Sequence, residues 1–156
     1  MIRVTIPDFG DYQLEELVLD YNGTLAIDGH LLPRVREKIT HLANSLRIHV
    51  LTADTFGTAA EHLKDLPCKL TVISQQSQDI AKLEYVNTLG ASKCICIGNG
   101  RNDRRMVHAA ALGIAVIQKE GASPETIQSA KIVCGHIIDA LELLENHQRL
   151  IATLRC

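Results

Sequence analysis

The chain has 156 residues, of which 46% are apolar and 22% charged, and its formal net charge is −2. That length supports one domain with a single sizeable core. The charge balance argues against a broad nucleic-acid or membrane surface, and 3% aromatics with no Trp argue against a base-stacking platform. Cys68, Cys94, Cys96, Cys134 and Cys156 are odd in number and form no CxxC pair. That pattern speaks against a disulfide framework or a zinc site and for a reducing cytosol. No signal-peptide profile opens the chain and no apolar run approaches membrane-spanning length, so a cytoplasmic protein is expected.

Ile2 to Ile6 alternates apolar and polar residues, and the turn material Pro7-Asp8-Phe9-Gly10-Asp11 follows. A small N-terminal β-hairpin returning through Tyr12–Leu14 is expected. Leu17-Val18-Leu19 is an apolar run ending on Asp20, as a buried strand would. Thr24 to Leu32 holds the turn signal Asp28-Gly29 and predicts a short flap. Pro33 suits the first position of a helix carrying Val35, Ile39, Leu42 and Leu46 at helical spacing. A second strand, Arg47 to Leu51, ends at Thr52-Ala53-Asp54. A helix over roughly 57–66 is halted by Pro67, and Lys69 to Ser74 forms a third strand. A helix from Gln76 to Thr88 stops at Gly90, and Cys94 to Ile97 is a fourth strand ending at Gly98-Asn99-Gly100. A short helix from Asp103 to Ala111, a strand Leu112–Val116, a helix opened by Ser123-Pro124 and a strand Ala130–Val133 follow. One long closing helix is expected from the stripe Ile137, Leu141, Leu144, Ile151 and Leu154. Strands alternating with helices predict one α/β domain spanning residues 1–156, a doubly wound Rossmann-like sheet, mostly parallel.

Three strands end in small polar loops, at Asp20, Thr52 and Asn99. In a doubly wound sheet they would line one crevice. On its own, Asp20 is equally well an Asx-type turn residue tying down loose N–H groups. Gly23 permits a tight turn, and the Thr24 hydroxyl with nearby N–H groups could reach an anion. Lys82, near the start of the helix leading to the Asn99 strand, is either a crevice cation or a solvated side chain. With Asp103, these residues offer a carboxylate nucleophile, a hydroxyl, an ammonium and a further acid, a set suited to phosphoryl transfer. Asp54 is explained equally well as a helix cap. Arg101, Arg104 and Arg105 are either a basic rim or a solvated helix start, and His49 inside a strand is expected to be structural.

These motifs, in this order, resemble the haloacid dehalogenase superfamily of phosphohydrolases, and within it the phosphorylation domain of P-type ATPases in a soluble, capless form. The resemblance is carried by Asp20-Tyr21-Asn22-Gly23-Thr24, Val50-Leu51-Thr52-Ala53-Asp54, Lys82, Gly98-Asn99-Gly100-Arg101-Asn102-Asp103 and the run Ala110–Val116. It implies that Asp20 attacks phosphorus to form an aspartyl-phosphate. Thr52 would bind a phosphoryl oxygen and Lys82 would neutralise its charge. It further implies substrate contacts from Gly23, Thr24, Ala53 and Asn102, and Mg²⁺ held by Asp20, the Asn22 main-chain carbonyl, Asn99 and Asp103.

Two departures from that family stand out. Asn22 occupies the place of the second aspartate that serves as general acid and base, and losing such a group costs about 10²–10⁴-fold. Asn99 replaces an aspartate on the metal, and a neutral amide is a weaker ligand for a hard cation. Short gaps after Asp20 and after Thr52 leave no room for a cap domain, which predicts a homo-oligomer. The functional expectation is an Mg²⁺-dependent hydrolase or phosphotransferase acting on a small phosphorylated substrate, slow on ordinary monoesters. The alternative is a non-catalytic phosphate-binding regulatory module.

Overall fold

The computed structural model describes residues 1–53 and 57–156. The hairpin pairs β1 (Ile2–Ile6) with β2 (Gly10–Leu14) antiparallel, and β3 (Glu16–Asp20) enters the main sheet directly after it. A flap of β4 (Ala26–Ile27) and β5 (His30–Leu31) precedes α1 (Val35–Leu42). Then come β6 (Arg47–Thr52), α2 (Ala59–Leu63), β7 (Lys69–Val72), α3 (Gln78–Leu89) and β8 (Cys94–Gly98). The chain closes through α4 (Arg104–Ala109), β9 (Leu112–Val116), α5 (Pro124–Ser129), β10 (Ile132–Cys134), α6 (Ile137–Glu145) and α7 (His147–Leu154).

The main sheet has six parallel strands in the order β10-β9-β8-β3-β6-β7. The chain builds outward from β3 to β6 and β7, then crosses back to β8 on the other side of β3. The strand order therefore reverses at β3, and a doubly wound sheet binds ligands at the carboxyl ends of the strands beside such a switch point. Every residue of β3, β8 and β9 is buried, as expected of strands covered on both faces. Alternation along β3 sends Leu17 and Leu19 into a core shared with the hairpin, α1, α6 and α7, and Val18 into a second core under α3 and α4. Among the described residues no helix is long and apolar enough to cross a membrane.

Two sequence-based expectations change. The closing helix is two helices, because Asn146 leaves the helical region (φ −117°, ψ 84°) and its carbonyl accepts from Arg149 N to start a new one. The bend lets α7 pack on β1. Helix α1 starts after Pro33 rather than on it, because Arg34 takes a left-handed φ of 67°.

Candidate active site

Register places the three strand ends side by side. Asp20 pairs with Leu51, so Thr52 stands one residue further on. Leu19 pairs with Ile97, so Gly98 lies beside Asp20 and Asn99 just beyond it. Asp20, Thr52, Asn99, Lys82 and Asp103 are all buried. Lys82 shares the inner face of α3 with Val86, one turn on, so the helix carries its ammonium over the strand ends.

That ammonium joins the two carboxylates. Lys82 Nζ donates to Asp20 Oδ1 and to Asp103 Oδ1, each at 2.6 Å. The Thr24 hydroxyl lies 3.1 Å from Asp20 Oδ2 and 3.3 Å from Asn99 Oδ1, and its one proton serves either. Burial, and then the charge of Asp103, push Asp20 up to about 6, although Lys82 and Thr24 pull the other way. For Lys82 burial opposes the charge, yet Asp103 and Asp20 outweigh it and its pKa rises above the ordinary lysine value. Ionised, the three groups leave one net negative charge in a buried place.

The loops around them are fixed by close contacts. Asp103 Oδ2 accepts from Asn99 N at 3.0 Å and from Gly100 N at 2.9 Å, closing the Arg101–Asp103 turn. A Cβ on Gly98 would collide with that carboxylate. Gly23, at φ 79°, is needed twice: the turn requires the positive φ, and a Cβ there would strike the Asn99 carboxamide. Asn99 Nδ2 donates to Gly121 O at 3.0 Å, which fixes which way its amide points. The expectation that N–H groups beside Thr24 await an anion meets a different arrangement. Thr24 N, Leu25 N and Ala26 N all donate to Tyr21 O, and Gly23 N donates to Ala26 O.

Other expected residues lie at the rim. Asn102 donates to Gln78 Oε1 at 2.7 Å in the wall of a groove of about 280 Å³ that Arg101 and Arg104 also line. The three arginines are charge-compensated there: Arg101 and Arg104 reach Glu125, and Arg104 and Arg105 reach Asp79. Ala53 is half-buried at the end of β6. Asp54 lies outside the described residues. His49 is structural, held between Glu16 Oε2 and the Tyr85 hydroxyl at 2.9 Å each. Gln118 escaped the sequence reading: its side chain donates to both Gly23 O and Thr24 O at 2.8 Å. Its place just past the carboxyl end of β9 was the one available signal.

Whether the crevice suits a hard cation depends on its oxygens. Asp20 Oδ2 and Asn99 Oδ1 converge on one hydroxyl. Two residues after Asp20, Asn22 Oδ1 is buried with no hydrogen-bond partner among the described residues. Such oxygen donors fit a hard divalent cation chemically, and of these side chains Asp20 is the one that ionises. The described residues hold no cluster of three His, Cys, Asp or Glu, so the set carries little charge.

No family model matches the chain. It is 48% identical over 83 residues to the uncharacterized protein MJ0073 of Methanocaldococcus jannaschii, an alignment spanning 51% of this chain and 89% of that protein. The chain belongs to the MJ0073 family. It is also 28% identical over 119 residues to the phospholipid-transporting ATPase NEO1 of Saccharomyces cerevisiae, covering 76% of the chain but only 9% of that protein. Among solved structures, the 3-deoxy-D-manno-octulosonate 8-phosphate phosphatase of Moraxella catarrhalis superposes with a TM-score of 0.69 at 18% identity, over 92% of this chain and 95% of that one. That structure contains magnesium and phosphate ions with the sugar acid. The likeness shows that this MJ0073-family chain has the haloacid dehalogenase fold.

Proposed function

We propose that the chain is a divalent-cation-dependent phosphohydrolase or phosphotransferase that forms an aspartyl-phosphate on Asp20. The observation that carries this reading is the buried Lys82 ammonium joined to both Asp20 and Asp103 at 2.6 Å, at the switch point of the sheet. An ammonium sealed in that place costs desolvation, and balancing charge at a phosphoryl group gives the cost a purpose. The Moraxella phosphatase and the yeast ATPase both handle phosphate chemistry by name, which supports the same reading.

In this reaction an Asp20 carboxylate oxygen attacks phosphorus, the bond to the leaving group breaks, and the leaving group departs with the electron pair. Lys82 and the Thr52 hydroxyl stabilise charge on the transferred group. Thr24 holds the carboxylate in its rotamer. Asp103 fixes Lys82 and the Asn99 loop. Mg²⁺, held by Asp20, the main-chain carbonyl of Asn22, Asn99 and Asp103, would supply charge neutralisation. Asn22 has no proton to give, so leaving groups that depart unprotonated, such as acyl phosphates, are favoured. Water then attacks phosphorus, splitting the P–O bond to Asp20 and releasing orthophosphate. Among the described residues the flap alone lies beside the crevice, and we infer that a small phosphorylated substrate is shielded by assembly of identical chains.

The test is phosphorylation by labelled acetyl phosphate with Mg²⁺. An acid-stable, hydroxylamine-sensitive phosphoprotein is expected, absent from Asp20→Ala. Unlabelled wild type, or equal label on the variant, overturns the assignment. The second reading, a phosphate-binding module without turnover, draws on Asn99, whose amide is already bonded to Gly121 O. Phosphate binding by calorimetry with no phosphoprotein would establish it.

A further inference from the structure

The nucleophile loop and the flap that follows it lie far in sequence from the Asn99 loop, yet one short turn touches all three. That turn follows β9 and runs from Gln118 to Gly121, closed by Gly121 N donating to Gln118 O at 2.8 Å. The Gln118 amide donates to Gly23 O and Thr24 O, and its Oε1 accepts from Ile137 N at 2.9 Å where α6 begins. All three contacts agree on one amide orientation, since the reverse would face an oxygen to two carbonyls. Glu120 Oε1 accepts from Asp28 N of the flap at 3.1 Å. Gly121 O accepts from Asn99 Nδ2 at 3.0 Å, and Ser123 N donates to Asn99 O at 2.8 Å.

We propose that Gln118 is a positioning residue for Asp20, acting through the Gly23–Thr24 peptide, and that the turn it anchors sets the nucleophile loop and Asn99 relative to each other. The proposal rests on the phosphoryl-transfer reading of the crevice. The N–H groups of Gly23 to Ala26 serve Tyr21 O and Ala26 O, and Leu32 N serves Leu25 O, which leaves the Gly23 and Thr24 carbonyls to a side-chain donor. Gln118 is their donor. Without it the two carbonyls lose their partners and the Thr24 side chain loses its fixed place 3.1 Å from Asp20 Oδ2. Small displacements of a nucleophile are enough to slow a reaction that depends on alignment.

Gln118→Met keeps the volume and removes the three bonds of the Gln118 side chain. Its rate constant for phosphorylation at saturating acetyl phosphate should fall about 10- to 100-fold while half-saturation moves little, because alignment rather than binding is lost. Gln118→Glu keeps the acceptor for Ile137 N but turns an oxygen towards two carbonyls, and should fall at least as far. Val4→Ala in the hairpin serves as the stability control, with lower thermal stability and an unchanged rate. A wild-type rate in Gln118→Glu, or an equal loss in Val4→Ala, overturns the proposal. If the wild type takes no phosphate, the functional reading fails, and amide hydrogen exchange still decides the positioning. Exchange at Gly23 to Ala26 should accelerate in Gln118→Met but not in Val4→Ala, and unchanged exchange overturns it.

Discussion

Lys82 is buried among groups that would repel one another without it. Removing one member of a buried charge set leaves the rest uncompensated, at about 3–5 kcal/mol. Lys82→Met should therefore lose about that much unfolding free energy in urea at pH 7. Asp20 sets the pH dependence of the loss. Its folded pKa of about 6 lies above the ordinary 3.8, so the folded state holds the proton more tightly. The stability from that proton is fully present below 3.8 and is lost as pH rises through about 6. Lowering the pH should restore part of the Lys82→Met deficit, starting above the wild-type value of about 6, because Asp20 without the ammonium becomes neutral more readily. Carboxyl carbon NMR should show Asp20 titrating near pH 6 in the metal-free wild type. Asn22→Asp tests the missing acid and base: dephosphorylation of the labelled protein should accelerate by about 10²-fold or more, read as decay of label after quenching the donor.

Helix α4 and strand β9 meet with no space between them. A Cβ on Gly113 would run into the Val107 carbonyl, which is main chain and cannot swing aside. Gly113→Ala should cost about 1–3 kcal/mol, measured by denaturant unfolding, and should weaken the β8–β9 pairing beside Asn99. The strands were legible in the sequence because each is a short apolar run bounded by turn residues, and parallel strands buried on both faces must look so. The double helix at the end was not, since the apolar stripe runs on unbroken past Asn146 and only backbone angles reveal the bend. At the site, the strand-end residues Asp20, Thr52 and Asn99 could be placed together from topology alone. The burial of Lys82 could not, because a lysine on a helix has the same pattern whether it faces water or two carboxylates. Gln118 was nearly as hard to find for a related reason: its bonds go to main-chain carbonyls, which carry no sequence signal, and only its place just past β9 pointed to it.

Across the molecule, polar networks occupy opposite ends of the sheet and answer acid in opposite senses. At the amino end of β3, Glu16 is joined to Arg47, and to His49 Nε2 at 2.9 Å. The His49 ring continues through Nδ1 to the Tyr85 hydroxyl, which Thr71 approaches at 3.5 Å. With Nε2 donating to the carboxylate, Nδ1 is left to accept from Tyr85. Burial raises the Glu16 pKa, but Arg47 and His49 outweigh it and leave it below the ordinary 4.5. Its stability is therefore present above that value and drains away as pH falls through the lower folded pKa. Asp20 changes in the other direction, between 3.8 and about 6. Glu16→Gln should flatten the acid arm of the stability curve and leave the Asp20 titration in place, both readable from urea midpoints between pH 3 and 7.

The bond from Asn99 to Gly121 limits what position 99 can hold. An aspartate there would face a carboxylate oxygen to a carbonyl 3.0 Å away, in a crevice whose ionised groups already leave one net negative charge. That exchange would cost folding before it could gain anything in metal affinity. Position 99 and the 118–121 turn are therefore one unit of substitution: a charge can be placed at the first only if the second is rebuilt with it.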